Sequence, residues 1–510
     1  MRRTVMMPQK PSLLIPTFIL MLVLGGGRCG VGMCKESDPP NVLFISIDDL
    51  NDWVGCLSRD DGATGHPQAQ TPNIDGLASS GVNFTNAHCQ APICNPSRVS
   101  LILGKLPSTT GMYFLGPNFR SVSPTREDET MFQTFRKSGY YVTTMGKIFH
   151  GRADPDSFDH VEPTRGWRRG SEKIRYRVPG TNPLWDWGEV PVPDNQQRDY
   201  HTAKWGSDQL PHLASGDQPF FLALGFYLPH VPIYASKRWM DMHPLDQLET
   251  PRILNSDRDD IPDVAAQLTL NPTAPRHSWM VQHDEARHAV RAYLAAISFV
   301  DSLVGMVLES LRKSSASENT VVVLWSDHGF HLGEKLRWAK RTLWEESTRV
   351  PLIIAGPGIE SGLVCDEPVG LIDVFPTLLD LCGLPPRSDL DGFRLTRLLQ
   401  GRTTDSSNGW PRKGIVTTFG PNHHSIRSRN FRYTRYADGS EELYDHRIDP
   451  HEWKNLAGDG RFASVINEHR KWLPQQNAEP VPNSSGADSP LFPDSPKNER
   501  RRRPREGNAR

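Results

Sequence analysis

The chain has 510 residues, of which 37% are hydrophobic, and a formal net charge of -1. This length and composition suffice for one large domain and a smaller one with buried cores. The near-neutral charge provides no basic field across the molecule. Nucleic acid is therefore disfavoured as the main partner, and any affinity for anions must be local.

The N-terminus has the residue order of a secretory signal. Arg2, Arg3 and Lys10 precede an apolar stretch from about 13 to 24, and three glycines follow it. Since this stretch is short for a membrane-spanning helix, residues 1–35 are predicted to be a signal peptide. We expect export to a periplasmic, extracellular or lysosome-like compartment without stable membrane insertion after signal removal, with a lipoprotein or N-terminal anchor as the alternative.

Three short apolar runs predict buried strands of one sheet, at 41–47, 220–227 and 320–325. Polar residues follow these runs directly: Asp48 and Asp49, then His230, then Asp327 and His328. Because ligands bind beyond the carboxyl ends of parallel strands, we expect these side chains to share one site.

Helical patterns alternate with these strands, at 73–80, 130–138, 285–313 and 372–379, the last following a strand at 351–355. The alternation predicts an α/β fold with a large doubly wound, mainly parallel sheet, spanning residues 38–391. A smaller C-terminal antiparallel α+β subdomain is predicted at 410–475, with strands at 414–419, 425–436 and 441–445. The Pro-, Ser- and charge-rich residues 480–510 are predicted to be a disordered basic tail.

Five cysteines follow the predicted signal: Cys56, Cys89, Cys94, Cys365 and Cys382. Export permits disulfide formation, with Cys365 and Cys382 as a candidate pair, and free buried thiols are the alternative.

Cys94 opens the run Cys94-Asn95-Pro96-Ser97-Arg98. An isolated cysteine is most often a small buried apolar residue. Here, Pro96 and the apolar residues after it predict that a helix begins at this point. A side chain at the start of that helix would meet the positive end of its dipole, which suits an anionic substrate.

Asp48, Asp49 and Asp327 are expected to converge from two strand ends. Carboxylates that are close together in a cleft repel one another unless a cation lies between them. Their oxygen atoms are ligands that hard divalent ions prefer. The sequence therefore predicts a cation site, whereas a solvated loop is the usual setting of such acids taken alone.

Six segments together resemble the sulfatase family of the alkaline phosphatase superfamily: 71–75, 94–98, 146–150, 228–230, 326–329 and 338–340. The resemblance covers about 41 to 457, and the pair Asp327-His328 is most similar to the iduronate-2-sulfatase branch. Phe330 departs from that branch, where Trp is usual. Ile102-Leu103-Gly104 departs from the family's Leu-Thr-Gly, in the part thought to help the maturation enzyme recognise the site.

The resemblance implies an alkaline phosphatase-like fold in which a maturation enzyme oxidises Cys94 to Cα-formylglycine (3-oxoalanine), an aldehyde that hydrates to a gem-diol. It also implies one divalent ion per subunit, Ca²⁺, bound by an oxygen of modified Cys94 and by Asp48, Asp49, Asp327 and His328. An imidazole is an unusual ligand for so hard an ion.

The resemblance further implies a role for each remaining site residue. Arg98 would orient the gem-diol and stabilise its ionised form. Lys147 and Lys340 would hold sulfate oxygens, His150 would serve the gem-diol, and His230 would protonate the leaving group. The implied substrate is a sulfated carbohydrate, with a 2-O-sulfated uronate favoured. The alternatives are a phosphodiester or phosphonate monoester hydrolase of the same superfamily and an inactive glycan-binding protein with unmodified Cys94.

Overall fold

The computed structural model describes residues 39–58, 64–167, 184–270, 273–402 and 410–492. The predicted signal peptide and the end of the predicted tail lie outside the described residues. Export stays a prediction.

The main sheet has eight strands among the described residues. In chain order they are β1 (Asn41–Asp48), β2 (Gly81–Phe84), β4 (Tyr141–Gly146), β5 (His160–Glu162), β7 (Phe220–Pro229), β9 (Thr320–Ser326), β10 (Leu352–Ala355) and β11 (Leu363–Cys365). Their spatial order in the sheet is β11-β2-β10-β9-β1-β7-β4-β5. Four more strands form short parallel ladders: β3 (Ala87–His88) with β12 (Val369–Gly370), and β6 (Trp187–Glu189) with β8 (Ile233–Ala235).

The three strands predicted from apolar runs lie side by side at the centre of this sheet. β1 is parallel to both β7 and β9, and all three are buried along nearly their whole length. Such burial on both faces explains why each reads as a continuous apolar run. β10 confirms the strand predicted at 351–355 but is antiparallel to its neighbours, a direction that its local pattern does not encode.

Helices cover both faces of the sheet, which confirms the doubly wound α/β prediction. In chain order they are α1 (Pro72–Ser79), α2 (Cys94–Leu103), α3 (Pro107–Thr110), α4 (Ser123–Arg126), α5 (Met131–Lys137), α6 (Arg198–Ala214), α7 (Lys237–Asp241), α8 (Asp263–Thr269), α9 (His277–Gln282), α10 (Ala286–Lys313), α11 (Glu345–Thr348), α12 (Val374–Leu381), α13 (Thr396–Leu399) and α14 (Ala463–Arg470). One core contains α1, α6 and α10, and a second contains α2, α5 and α12.

By length and composition, α10 is the one helix of the described residues that is apolar enough to cross a membrane. Most of its most apolar stretch is buried inside the protein. Core helices share these properties, so the helix is weak evidence for membrane insertion.

The C-terminal sheet is antiparallel, in the order β13 (Ile415–Thr418), β14 (His424–Arg427), β15 (Phe431–Arg435) and β16 (Glu441–Asp445). The single strand predicted at 425–436 is wrong: it is two strands joined by a turn at 428–430. Ser428 and Phe431 exchange hydrogen bonds across this turn, which reverses the chain.

Residues 480–492 correct the predicted start of the tail, because they lie against the rest of the protein. The backbone N–H of Val481 donates to the Gly111 oxygen at 3.1 Å, and Ser485 pairs with Gly116 through both backbone groups. Val481 and Ala487 are buried. A Pro- and Ser-rich composition alone suggested disorder, but these backbone contacts hold the segment in place.

The five cysteines of the described residues are all free thiols. The candidate disulfide between Cys365 and Cys382 is therefore not formed, and the alternative of free thiols describes the structure.

Candidate active site

Cys94 is the first residue of α2 and is 2% exposed. The preceding residue, Ile93, is extended, so the helix begins at Cys94 itself, with Pro96 in its first turn. Proline is tolerated there because the first-turn N–H groups have no partner within the helix. The thiol thus lies at the positive end of a helix, as the sequence predicts.

Four charged or polar side chains surround the Cys94 sulfur. The Sγ atom lies 3.2 Å from Lys340 Nζ, 3.2 Å from His328 Nε2, 3.7 Å from Lys147 Nζ and 3.9 Å from Asp49 Oδ1. Burial alone would raise the pKa of the Cys94 thiol, but the charges of Lys147 and Lys340 lower it well below its ordinary value. His328 acts in the same direction. The residue is therefore not an inert core cysteine.

Arg98, one turn further along α2, joins the ends of two strands. Its Nε donates to Asp327 Oδ2 at 2.8 Å, and its Nη2 donates to Asp48 Oδ1 at 2.9 Å. Its Nη1 donates to Ser46 Oγ at 2.9 Å. Arg98 is 1% exposed, and these hydrogen bonds hold the two acids in place.

The acids converge as predicted from the strand ends. The backbone N–H of Asp49 donates to Asp327 Oδ1 at 3.1 Å, and both side chains are fully buried. Asp49 has φ 62, a left-handed conformation that Asp tolerates better than most residues. Burial raises the pKa of Asp327 to about 7, against the opposing effect of Arg98.

These residues fit a divalent cation. Ligand atoms of two overlapping groups lie within 4.8 Å of one another: Asp49, Cys94, Asp327 and His328, and Asp48, Asp49, Cys94 and His230. Asp49 Oδ2 is buried and has no hydrogen-bond partner among the described residues. A buried carboxylate oxygen without a partner is costly, and a cation would satisfy it.

The two lysines contact the acids directly. Lys340 Nζ donates to Asp49 Oδ1 at 2.6 Å, and Lys147 Nζ donates to Asp48 Oδ2. Burial alone would lower the pKa of Lys147, but Asp48 raises it above its ordinary value. Both ammonium groups therefore stay charged in the cavity.

Lys147 is placed by a close approach of two backbones. Gly146, with φ 93, ends β4, and the N–H of Lys147 donates to the Gly225 oxygen at 2.9 Å. A Cβ on Gly146 would overlap the Gly225 carbonyl, and one on Gly225 would overlap the Lys147 backbone. Only glycine fits at both positions.

The two predicted histidines both line the cavity beside Cys94. His230 Nδ1 is 2.6 Å from the backbone oxygen of Val231, which leaves Nε2 to exchange a proton with a ligand. His150 also acts to lower the pKa of the Cys94 thiol, after the larger effects of the two lysines and His328. His150 Nδ1 is buried without a partner among the described residues.

A cavity of about 580 Å³ unites these groups. Six predicted residues line it: Asp48, Cys94, Lys147, His150, His230 and Lys340. Asp49, Arg98, Asp327 and His328 are buried around the Cys94 sulfur. The structure thus brings all ten predicted site residues together.

Sequence reasoning missed the outer part of the cavity. Aromatic side chains of Trp167, Trp185, Tyr227 and Tyr234 line it, and so do Arg198, Arg341 and Asp488. Asp199, also a lining residue, accepts hydrogen bonds from the backbone N–H groups of Tyr227 and Leu228. The Trp-rich run at 184–187 was a visible signal, whereas isolated Arg and Asp residues carry none.

Two family models match the chain. The sulfatase model matches residues 40–384, and a model described as N-sulphoglucosamine sulphohydrolase, C-terminal, matches residues 333–479.

Three curated relatives span most of the chain. A sulfatase from Formosa agariphila is 38% identical, covering 87% of this chain and 88% of that protein. A Delta 4,5-hexuronate-2-O-sulfatase from Bacteroides thetaiotaomicron is 30% identical, with 88% and 91% covered. Iduronate 2-sulfatase from Mus musculus is 29% identical, with 72% and 73% covered.

Solved structures share the fold. A 2-O GAG sulfatase superposes with a TM-score of 0.64 at 25% identity, covering 86% of this chain and 91% of that chain. A phosphonate monoester hydrolase of Agrobacterium radiobacter superposes with a TM-score of 0.69 at 22% identity, covering 85% and 94%, which shows a common fold alone.

Proposed function

The chain belongs to the sulfatase family, whose members hydrolyse sulfate esters. From this premise we propose that the protein uses a formylglycine at its position 94 to remove sulfate from a sulfated sugar. One observation carries the proposal. The Cys94 side chain lies in the cavity at a helix start, within 4 Å of two lysine ammonium groups and beside an acidic cluster.

Oxidation of Cys94 to formylglycine accounts for turnover better than the thiol does. When formed, the hydrated aldehyde supplies one hydroxyl that attacks sulfur and a second whose deprotonation releases inorganic sulfate. An unmodified cysteine has only one nucleophilic group, its thiol, and so has no hydroxyl that could perform that release. We therefore include in the proposal a maturation enzyme that converts Cys94 to formylglycine.

The acids and His328 would hold one divalent ion, and the all-oxygen character of three carboxylates favours Ca²⁺. When bound, such an ion supplies positive charge at the oxygen atoms that become more negative as the ester is cleaved. The unpartnered Asp49 Oδ2 supports this assignment.

Lys147 and Lys340 flank the reacting position and would bind the non-bridging sulfuryl oxygens. Their ammonium groups are fixed by the carboxylates, and the two residues are only 7% and 8% exposed, so little reorganisation is needed when charge develops. His230 would donate a proton to the departing sugar oxygen. His150, which lines the same cavity as residue 94, would accept a proton from it.

The favoured substrate is a 2-O-sulfated uronate. Two relatives are named for action on 2-O-sulfated hexuronate or iduronate. The cavity is large enough for a sugar ring and carries the aromatic surfaces and the Arg198 cation that an acidic sugar would contact. Arg198 stacks over Tyr227, three residues before the predicted leaving-group acid His230.

Peptide mass analysis of residue 94 tests the nucleophile, since conversion replaces the thiol by an aldehyde. We expect Cys94→Ala to abolish sulfate release while retaining the wild-type melting temperature. Cys56→Ala, which alters a partly buried thiol outside the cavity, is the matched control. Full turnover by Cys94→Ala would overturn the proposal.

A substrate panel separates the alternatives. The protein is assayed with 4-nitrophenyl sulfate, 4-nitrophenyl phosphate and a disaccharide whose terminal hexuronate is 2-O-sulfated. Preference for the phosphate would favour a phosphoesterase, which shares the fold. Binding of the disaccharide without hydrolysis, together with unmodified Cys94, would indicate an inactive glycan-binding protein.

A further inference from the structure

Residues 480–492 follow the last residue that either family model matches, yet they reach the cavity. We call this stretch the C-terminal segment. Asp488 lies in the cavity wall, in the same cavity as Cys94 and Lys340. A part of the chain outside the matched family regions thus contributes directly to the place where substrate would bind.

Backbone contacts hold the C-terminal segment against one wall of the cavity. Ser485 N–H donates to the Gly116 oxygen at 3.2 Å, and Gly116 N–H donates to the Ser485 oxygen at 3.0 Å. Gly486, with φ 76, packs so closely against Leu115 that a Cβ there would lie 2.8 Å from the Leu115 Cβ. Leu115 itself lines the cavity, so the wall and the segment form one surface.

Asp488 is paired with Arg341, the residue after Lys340. Arg341 Nη1 donates to Asp488 Oδ2 and, at 3.3 Å, to the Ala487 oxygen. The Arg341 side chain is 7% exposed, whereas that of Asp488 is 31% exposed. The carboxylate is therefore fixed by the guanidinium and still accessible from the cavity.

We propose that Asp488 and Arg341 form a subsite for free hydroxyl groups of the sugar that carries the sulfate ester. This inference rests on the proposed function. An accessible carboxylate accepts hydrogen bonds from hydroxyl groups, and the adjacent guanidinium donates hydrogen bonds to hydroxyl oxygens. The pair can therefore bind two neighbouring hydroxyl groups of one sugar ring. A second sulfate or a carboxylate at this subsite would be repelled by Asp488, so the carboxylate of the uronate must lie elsewhere in the cavity, and the C-terminal segment becomes a determinant of sugar specificity.

The test compares Asp488→Asn with wild type on two substrates. Asn tolerates the left-handed backbone of Asp488, which has φ 48, so the change removes charge with little strain. The substrates are 4-nitrophenyl sulfate, which has no sugar hydroxyls, and the disaccharide with a terminal 2-O-sulfated hexuronate. Glu479→Gln, an exposed carboxylate next to the C-terminal segment, is the matched control.

We expect Asp488→Asn to lower kcat/KM for the disaccharide roughly 10- to 100-fold, mainly through KM, as for the loss of a hydrogen bond to a charged group. The value for 4-nitrophenyl sulfate should stay within about twofold, because this substrate has no sugar hydroxyls for Asp488 to bind. For the disaccharide, the change removes uniform binding and leaves transition-state stabilisation intact, so KM rises while kcat is kept. Gly486→Ala, which would displace the segment from Leu115, should show the same substrate dependence.

Equal losses on both substrates would overturn the inference and would mean that Asp488 acts only by positioning Lys340 through Arg341. An unchanged disaccharide value for both variants would also overturn it. So would a wild-type enzyme that hydrolyses 4-nitrophenyl sulfate and none of the sugar substrate. Failure on 4-nitrophenyl sulfate itself would instead count against the proposed function.

Discussion

Two buried groups of charges in this protein look alike by composition but differ in how their oxygens are satisfied. The site cluster consists of Asp48, Asp49, Asp327, His328, Arg98, Lys147 and Lys340. The interface network joins the C-terminal sheet to α11 and consists of Glu345, Arg427, Arg432, His446 and Glu452. Both contain acids and a histidine close enough to hold a metal ion.

The interface network is closed. Arg432 Nε donates to Glu452 Oε1 at 2.5 Å, and its Nη2 donates to Glu345 Oε2. His446 Nε2 lies 2.9 Å from Glu452 Oε1, and the backbone N–H of Glu345 donates to Glu452 Oε2 at 2.8 Å. Arg427 adds a second guanidinium to Glu345. Every carboxylate oxygen in this network has a partner from the protein itself.

The site cluster, by contrast, leaves Asp49 Oδ2 without a partner among the described residues and keeps two ammonium groups at a cavity. Nearness of ligand atoms therefore does not distinguish a metal site from a structural ion network. The two are distinguished by whether every carboxylate oxygen has a hydrogen-bond partner. In the interface network, the Arg432 guanidinium already occupies the position between Glu345 and Glu452. Removing charges from the site cluster should cost activity, and removing them from the network should cost stability.

The largest expected effect concerns activity at the cavity. His230→Ala should slow hydrolysis of sugar sulfates by about 10²- to 10⁴-fold, because a sugar alcohol needs a proton to leave. Aryl sulfates, whose phenolate leaves unprotonated, should be affected far less. Steady-state kinetics on both substrates measure this, with the exposed His212→Ala as control. Equal losses would make His230 a sulfate-binding or structural residue.

Breaking the interface network should produce the largest change in stability. Arg432→Met leaves Glu345 and Glu452 buried without their main partner, which costs about 3–5 kcal/mol of unfolding free energy. Urea denaturation measures the loss. Arg429→Met, an exposed pair with Asp366, should cost less than about 1 kcal/mol. A similar loss of unfolding free energy in both variants would show that the interface network contributes no more to stability than an exposed ion pair does.

Calcium should stabilise the protein through the site cluster alone. At a Ca²⁺ concentration of about 100 times Kd, binding to the folded state adds about 2.7 kcal/mol. Asp49→Asn should abolish this increment, and Glu452→Gln should retain it even if its basal stability is lower. Thermal melts with Ca²⁺ and with chelator provide the measurement. Retention of the increment by Asp49→Asn would place the ion elsewhere.

Acid should weaken the interface network. Burial alone would raise the pKa of Glu345, but Arg427, His446 and Arg432 hold it well below its usual value of 4.5. An acid whose pKa is depressed in the folded state stabilises the protein at any pH above its unfolded-state pKa, and this contribution is lost as the pH falls from there through the folded-state pKa. The melting temperature should therefore fall steeply below about pH 4.5, and less steeply in Arg432→Met. If the melting temperatures of wild type and Arg432→Met fell in parallel with pH, the titration of Glu345 would be excluded as the cause.

The inner site could be predicted from sequence because its residues stand next to strong local signals. Asp48, His230 and Asp327 lie at or just beyond the ends of apolar strands, and Cys94 lies at a helix start marked by Pro96. Short-range pattern and the rule that ligands bind at strand ends were sufficient there.

The outer site could not be predicted, because it depends on contacts between distant parts of the chain. Arg341 and Asp488 are 147 residues apart, and the sequence around each of them contains no pattern that predicts their ion pair. The composition after residue 480 favoured disorder, and only the backbone pairing with Gly116 shows otherwise. The direction of β10 is set by tertiary packing in the same way, whereas the division of 425–436 into two strands follows from a local turn that the sequence analysis overlooked.

Gly146 and Gly225 limit how far this protein can be redesigned. Since their backbones touch, even a methyl group at either position would displace Lys147 and, with it, the backbone oxygen that accepts a hydrogen bond from Arg98. Mutational tolerance should therefore drop sharply at these two small residues, although neither has a side chain in the cavity. A library aimed at new sugar preferences should keep both and vary Trp167, Trp185 and Asp488, whose side chains shape the wall without supporting the backbone beneath the reacting position.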